Sequence, residues 1–265
     1  MKLGLKRGRI ARLLILVMVP VIGSLALADE IHVASSGGFA AAYRALAPAF
    51  EARTGHKLVA VWGPSMGETS GAIPKRLERG EAIDVVIMVG DALDKLIQQG
   101  RVDEAGHRLL ANSKIGVAVP AGAARPDVST VAGLKQALLN ARSIAYSDSA
   151  SGEYLSKVLF PRLGIAEQVK GKSRMIPAEP VAQVVARGEA ELGFQQVSEL
   201  LPVQGIDFVG EIPEETQQLT PFSAGIVASS RAHAAAQALI DYLTSDEARP
   251  LIRKTGLTPA TATAH

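Results

Sequence analysis

Past its first thirty residues, the chain alternates short apolar runs with stretches whose apolar positions recur every three or four residues. Ile31 to Ala34 reads as a buried strand. Phe39 to Thr54 reads as a helix, with Phe39, Tyr43, Leu46 and Phe50 on one face and Gly55 placed as a C-terminal cap. The alternation continues with strand Leu58 to Trp62 and helix Ile73 to Arg79, whose first turn holds Pro74. Strand Val85 to Met88 precedes helix Asp91 to Gln99, strand Ile115 to Val119 precedes helix Val131 to Ala141, and strand Ser143 to Tyr146 precedes helix Tyr154 to Leu163. Further on come a helix over Pro180 to Arg187, strands at Glu191 to Gln195, Ile206 to Val209 and Gly225 to Ala228, and helices over Ala232 to Ser245 and Asp246 to Lys254.

The strands are continuous apolar runs rather than alternating ones, which is the pattern of parallel sheets covered on both faces. The fold class is therefore α/β. No internal repeat and no low-complexity linker interrupts it. The length allows one large domain or two lobes. Two lobes would be joined by strands crossing just before Ile115 and around Pro221-Phe222-Ser223, with the C-terminal helices returning to the first lobe.

The opening segment changes the charge balance. Lys2, Lys6, Arg7, Arg9 and Arg12 precede an apolar run from Leu13 to Ala28 that is broken by Pro20, Gly23 and Ser24 and ends Ala26-Leu27-Ala28. This is the form of a cleavable secretory signal peptide over residues 1–28, and the run is too short and broken for a membrane span. Without it, the 28 basic residues fall by five to 23 against 26 acids, so the formal charge moves from +2 to −3. A broad basic footprint for nucleic acid is excluded. The absence of cysteine excludes disulfides, thiol nucleophiles and zinc-thiolate or iron–sulfur sites. The five histidines are scattered without ligand spacing, so no metal is expected. No Walker loop, Gly-x-Gly-x-x-Gly or Gly-x-Ser-x-Gly elbow occurs, and no cofactor is expected.

Three clusters of small polar residues follow strands and lead into helices: Ser35-Ser36-Gly37-Gly38, Gly63 to Gly71, and Ser147 to Gly152. Ligands in open α/β sheets bind beyond the carboxyl ends of strands, and helix N-termini there suit anions. Each cluster alone is also ordinary capping chemistry. Three in equivalent positions point to one shared site for a small anionic ligand. Gln195-Gln196, at the end of the apolar strand around Phe194, is read equally as a hydrogen-bonded strand end or as a ligand contact.

The order of these segments resembles the periplasmic molybdate-binding proteins of ABC transporters. The likeness includes the Ser-rich first turn, Asp84 to Ile87, Asn112-Ser113, Leu192-Gly193 and Arg253-Lys254-Thr255-Gly256-Leu257. It implies the two-lobed type II solute-binding fold, with residues 29–113 plus 222–265 as lobe 1 and 114–221 as lobe 2. Each lobe would be a mostly parallel sheet flanked by helices, with the ligand in the cleft between them, in a periplasmic monomer without stable membrane insertion. The binding turns depart from that family. Gly38 stands where its first-turn serine belongs, the turn Gly63 to Ala72 is longer and carries Glu68, and Gln196 replaces a ligand-contacting tyrosine. Gly63 to Gly67, Tyr146 to Gly152 and Gly193 to Gln196 are similar instead to the aconitate isomerase subgroup of this scaffold.

That likeness implies a cofactor-independent 1,3-allylic proton shift on a tricarboxylate. Glu68 is the first expectation for the base, with Tyr146 and Glu153 as alternates. The expected ligand contacts are Ser35, Ser36, Gly37, Ser65, Met66, Gly67, Thr69, Ser149, Ser151, Arg174, Gln195 and Gln196, with Lys75, Arg76 and Arg174 balancing charge. The alternative is a non-catalytic binding protein that presents an oxyanion or organic acid to an ABC permease.

Overall fold

The structure is a computed structural model that describes residues 28–177 and 179–261. The expected signal peptide, but for Ala28, lies outside the described residues. The chain builds two sheets. The first has six strands in the order β11-β4-β10-β3-β1-β2: β1 (Glu30–Ser35), β2 (Lys57–Trp62), β3 (Val85–Val89), β4 (Val102–Ser113), β10 (Thr220–Val227) and β11 (Thr258–Pro259). The second has five in the order β7-β6-β8-β5-β9: β5 (Ile115–Pro120), β6 (Ile144–Ser147), β7 (Ser173–Ile176), β8 (Leu192–Gln196) and β9 (Ile206–Glu211).

The helices are α1 (Gly37–Thr54), α2 (Ile73–Glu78), α3 (Gly90–Gln98), α4 (Val131–Asn140), α5 (Ala150–Tyr154), α6 (Phe160–Arg162), α7 (Ala166–Lys170), α8 (Val181–Ala186), α9 (Val197–Leu200), α10 (His233–Thr244) and α11 (Ala248–Lys254). α1 presents Phe39, Leu46 and Phe50 to the first sheet, and the αL conformation of Gly55 ends it. Leu239, Ile240, Leu243 and Ile252 of α10 and α11 join that same core, while Phe194, Leu134, Leu138 and Leu159 fill the core of the second sheet.

The α/β class stands, but each sheet is mixed rather than mostly parallel. β1 runs parallel to β2 and β3, and β6 runs parallel to β7 and β8. β10 is antiparallel to β3 and β4, and β5 is antiparallel to β8 and β9. The reason is connectivity. β4 passes into β5 through Lys114 alone, and β9 returns to β10, so the strands that cross between sheets enter each one against its direction. Gln217 clamps the two crossings: its Oε1 accepts from Ile115 N–H at 3.0 Å and its Nε2 donates to the Ile115 carbonyl at 2.8 Å.

β4 escapes the apolar-run reading because it carries Asp103, Glu104, His107 and Arg108. One face of such a strand is wet, as antiparallel strands allow. α7, β7 and α9 are also elements that the pattern does not announce. The helix expected from Tyr154 starts earlier, at Ala150, and passes through a π-helical turn at Leu155–Leu159.

Asp84 ties the first sheet together. Its Oδ2 accepts from His32 N–H of β1 at 2.8 Å and its Oδ1 from the Ser230 hydroxyl beyond β10 at 2.6 Å. Asp84→Ala removes two charge-assisted bonds at a buried position and is expected to cost about 3 kcal/mol, read as a lower urea midpoint with an unchanged slope.

Candidate functional site

Beyond the carboxyl ends of the parallel strands, between the two sheets, lies a cavity of about 350 Å³. β2, β3, β6 and β8 each deliver their last residue to it: Trp62, Val89, Ser147 and Gln196. β1 delivers Ser36, one residue past its end. Four depressions elsewhere are larger, at about 880, 730, 480 and 360 Å³. The smaller cavity is the site because of its unanswered polar atoms. Among the described residues, seven buried side-chain polar atoms have no protein partner, and three of them, Ser36 Oγ, Thr69 Oγ1 and Gln196 Oε1, belong to residues lining this cavity. The four larger depressions hold none of the seven. Buried polar atoms without partners are rare, and three in one place mark where a polar ligand is received.

The first-sheet wall is built for an anion. Ser36 is the N-cap of the 18-residue α1, yet its hydroxyl makes no capping bond, and no acid occupies the first turn. The positive end of the helix dipole and the Ser36 hydroxyl therefore face the cavity together. Ser65 stands beside them. Its oxygen accepts from Val89 N–H at 3.0 Å, which leaves its proton to donate. Gly37, Thr69, Ser149, Gln195 and Gln196 complete the expected residues that line the cavity.

The structure does not bring the other expected residues into the lining. Ser35 is fully buried in β1, and its hydroxyl donates to the Ser36 carbonyl at 3.2 Å. Ser151 is buried behind the wall and shares a 3.0 Å hydrogen bond with Ser147. Met66 lines an adjoining depression with Ala150, and Gly67 turns the loop at φ 97°. Tyr146 packs edge-on against Phe160 in the second core. Glu68 is 88% exposed and pairs with Lys75 at 2.9 Å, because the lengthened turn carries it outward to solvent. Glu153 pairs with Lys157 one helical turn on. The cations are engaged elsewhere too: Lys75 with Glu68 and Glu78, Arg76 with Glu81 and the Gly71 carbonyl, Arg174 near Glu189 on β7.

The residue missed is Glu199, on α9. It lines the cavity, and its carboxyl lies against Gly37, where any Cβ would collide with Oε1. A side chain at 37 would push the carboxyl out of this position. Burial around the carboxyl pushes its pKa up to about 7. The Gln195 amide opposes the rise, the Asp148 carboxylate adds to it, and the Gln196 backbone N–H opposes it. α9 is fixed to the first sheet's side by Ser198, whose hydroxyl donates to the Gly38 carbonyl at 2.6 Å. One signal was available in the sequence: Glu199 is the sole charge between Leu192 and Val203. Asp148 and Glu179 also line the cavity, and among the described residues no Lys, Arg or His does. No group of three or more His, Asp or Glu among the described residues could hold a metal ion, and no described helix is long and apolar enough to cross a membrane.

Residues 31–258 match the family model described as bacterial extracellular solute-binding protein. The chain belongs to that family. It is 49% identical to an aconitate isomerase from Pseudomonas sp over 94% of this chain and 95% of that one. It is 26% identical to the molybdate-binding protein ModA of Azotobacter vinelandii over 93% and 97% of the two chains. The solved structure of the periplasmic molybdate-binding protein of Azotobacter vinelandii superposes with a TM-score of 0.71 at 21% identity, covering 87% of this chain and all of that one. The sulfate-binding protein SubI of Mycobacterium tuberculosis superposes at 0.70 with 17% identity, covering 88% of each. At those identities the structural matches establish the fold of the family member.

The raised acid has a stability signature. An unfolded glutamate ionises near 4.5, whereas folded Glu199 holds its proton to about 7. Between those values the folded state binds the extra proton, so stability falls as pH rises through the window and stays lower above it. Glu199→Gln lacks this loss. It is expected to melt above the wild type at about pH 8 and level with it at about pH 4, by thermal scans in matched buffers.

Proposed function

We infer that this family member is a periplasmic aconitate isomerase that interconverts trans- and cis-aconitate by a cofactor-independent 1,3-allylic proton shift. The relative at 49% identity supports the reaction class. The observation that carries the reading is Glu199, a carboxyl with its pKa raised to about 7 inside the anion-receiving cavity. A group that titrates near the working pH can both take and return a proton. A protein that only binds an anion gains nothing from a buried carboxylate facing its ligand.

The steps follow from the residues. Ser36 and the α1 N-terminus, Ser65, Thr69 and Ser149 hold the substrate's carboxylates and fix the allylic plane against Glu199. The Glu199 carboxylate removes a proton from the methylene; the C–H bond breaks and an O–H bond forms. The electron pair spreads over the allylic carbons and their carboxylates, where the helix N-terminus and hydroxyl donors answer the added charge. Glu199 then returns the proton to the far allylic carbon, and the double bond has moved. One carboxyl serves both half-reactions. Glu68 and Tyr146 have no place in this path.

The layout proposed with it is a cleaved signal peptide at residues 1–28, lobe 1 at 29–113 plus 222–265, lobe 2 at 114–221, and a monomer. The rival is a non-catalytic binding protein of an ABC transporter, which would use the same donors and close its lobes around molybdate or an organic acid.

The test is trans-aconitate in deuterium oxide with the mature protein, followed by NMR for cis-aconitate and deuterium in the methylene. Conversion is expected, with Glu199→Gln lowering kcat by about 10²- to 10⁴-fold and Glu68→Gln leaving it within about two-fold. Absence of conversion, with tight molybdate binding by calorimetry, would establish the rival. The pH profile follows from the same group. kcat/KM is expected to rise with pH through about 7 as free Glu199 ionises. The acid limb of kcat lies higher, because bound carboxylates add negative charge to a cavity whose described lining has no cation.

A further inference from the structure

We propose that Phe222 makes the cavity select a polycarboxylate with a carbon skeleton over a carbon-free oxyanion, by seating its ring in a notch that Gly38 leaves at the N-terminus of α1. The inference deepens the proposed function, on whose tricarboxylate ligand it rests. Phe222 lies on β10, is 2% exposed, and lines the cavity together with Gly38. A Cβ on Gly38 would stand 2.1 Å from Cζ of the ring and 2.7 and 2.8 Å from Cε1 and Cε2. The tip of the ring therefore rests on the helix backbone itself, which only glycine permits. The ring has little freedom to withdraw. A phenyl group is rigid beyond its two side-chain torsions, and the strand that carries it is paired on both sides, Phe222 with Val89 of β3 and with Ala111 of β4.

The seat decides which ligand suits the donors around it. Ser36, Ser65 and Thr69 line the same cavity, and the first turn of α1 adds N–H groups that a helix leaves without partners of its own. The ring beside them has no polar hydrogen to give. A tetrahedral oxyanion carries oxygen in every direction, so an oxygen turned toward Phe222 loses its hydration and gains no donor. A polycarboxylate carries oxygen at its ends and carbon between, so its carboxylates reach the donors while its skeleton covers the ring. Trp62 and Val89 extend the apolar lining. Trp62 is held in place by the Arg44 guanidinium, 4.4 Å over its ring, and by Tyr43, edge-on at 5.6 Å. The volume of about 350 Å³ lies in the range of organic-ligand cavities and is more than a five-atom oxyanion fills. Successive glycines also set ring and acid side by side: Glu199 Oε1 lies against Gly37 and Phe222 against Gly38. A skeleton resting on the ring thus turns carbon, rather than a carboxylate, toward the acid.

The experiment is calorimetric titration of the mature protein with two probes: propane-1,2,3-tricarboxylate, whose saturated chain cannot undergo the allylic shift, and molybdate. The wild type is expected to bind the tricarboxylate more tightly, and equal or tighter binding of molybdate would overturn the proposal. Phe222→Leu keeps an apolar side chain but empties the notch. It is expected to weaken the tricarboxylate about five- to ten-fold and molybdate by less than about two-fold. An equal loss for both probes would make the ring a structural support only, and no loss for the tricarboxylate would remove it from the ligand; either result overturns the proposal. If Phe222→Leu does not fold, Gly38→Ala carries the test. Its methyl group must displace the ring, so the same selective loss is expected, and unaltered selectivity would overturn the proposal. Conversion of trans-aconitate is assayed separately. A selective loss in a protein that never converts aconitate would uphold the role of Phe222 and sink only the isomerase reading. Conversion accompanied by an unselective loss would do the reverse.

Discussion

A carboxyl group is buried between two sheets in a cavity whose described lining offers it no cation, and most of the surrounding structure follows from that. An ion pair would have been the ordinary way to hold an acid there, and it would have lowered the pKa. This chain uses neutral donors instead. Gly37 gives the carboxyl room, Gln195 and the Gln196 backbone give it hydrogen bonds, and Ser198 anchors the helix that carries it. Neutral donors leave the acid near its switching point, where an ion pair would have locked it ionised. The folded state is less stable for it at neutral pH, the usual relation between a poised group and the fold that holds it.

The two sheets divide the work. The first brings the turn after β1 and the N-terminus of α1 to the cavity, where free backbone N–H groups suit an anion. The second brings Glu199 to the cavity through β8 and α9, with the Ser147 to Ser149 turn beside it. Relative placement of anchors and base thus depends on how the sheets are joined. One joint is a single residue and the other runs over residues 212–219. Lys114 is the whole of one, and Gln217 hydrogen-bonds across to Ile115 to hold the other beside it. Lys114 also bridges Glu211 and Glu214 at 3.0 and 3.1 Å, which ties the outgoing crossing to the returning one.

The fold was legible because a strand buried on both faces has nothing to write but apolar residues. Ile31 to Ala34, Val85 to Met88 and Ile115 to Val119 each fall within an observed strand. β4 was not legible, since its outer face is wet and its charges look like a loop. The site was legible only in part. Small polar residues after strands located Ser36, Ser65, Thr69 and Ser149 in the cavity, because strand ends converge there whatever their chemistry. The two acids sit differently for a physical reason. A carboxylate in a polar turn, such as Glu68, looks functional from its neighbours in sequence but pairs with Lys75 in solvent. Glu199 looks like a surface residue on a short helix, and only the packing of α9 against α1 turns it inward.

The scaffold is shared with proteins that carry molybdate and sulfate, so the difference must lie in a few side chains. A carrier for a permanently charged oxyanion needs donors and no base, since a buried carboxylate would only repel its cargo. A carbon acid presents a different problem. Its charge grows during reaction and must be met by donors, and its proton needs somewhere to go for the moment between two carbons. The donors of a binding cleft already meet the first need. A buried carboxyl such as Glu199, lying against Gly37, is suited to the second. What sets this cleft apart is a lengthened turn after β2 and a buried acid, Glu199, whose burial is left uncompensated by charge in the described lining.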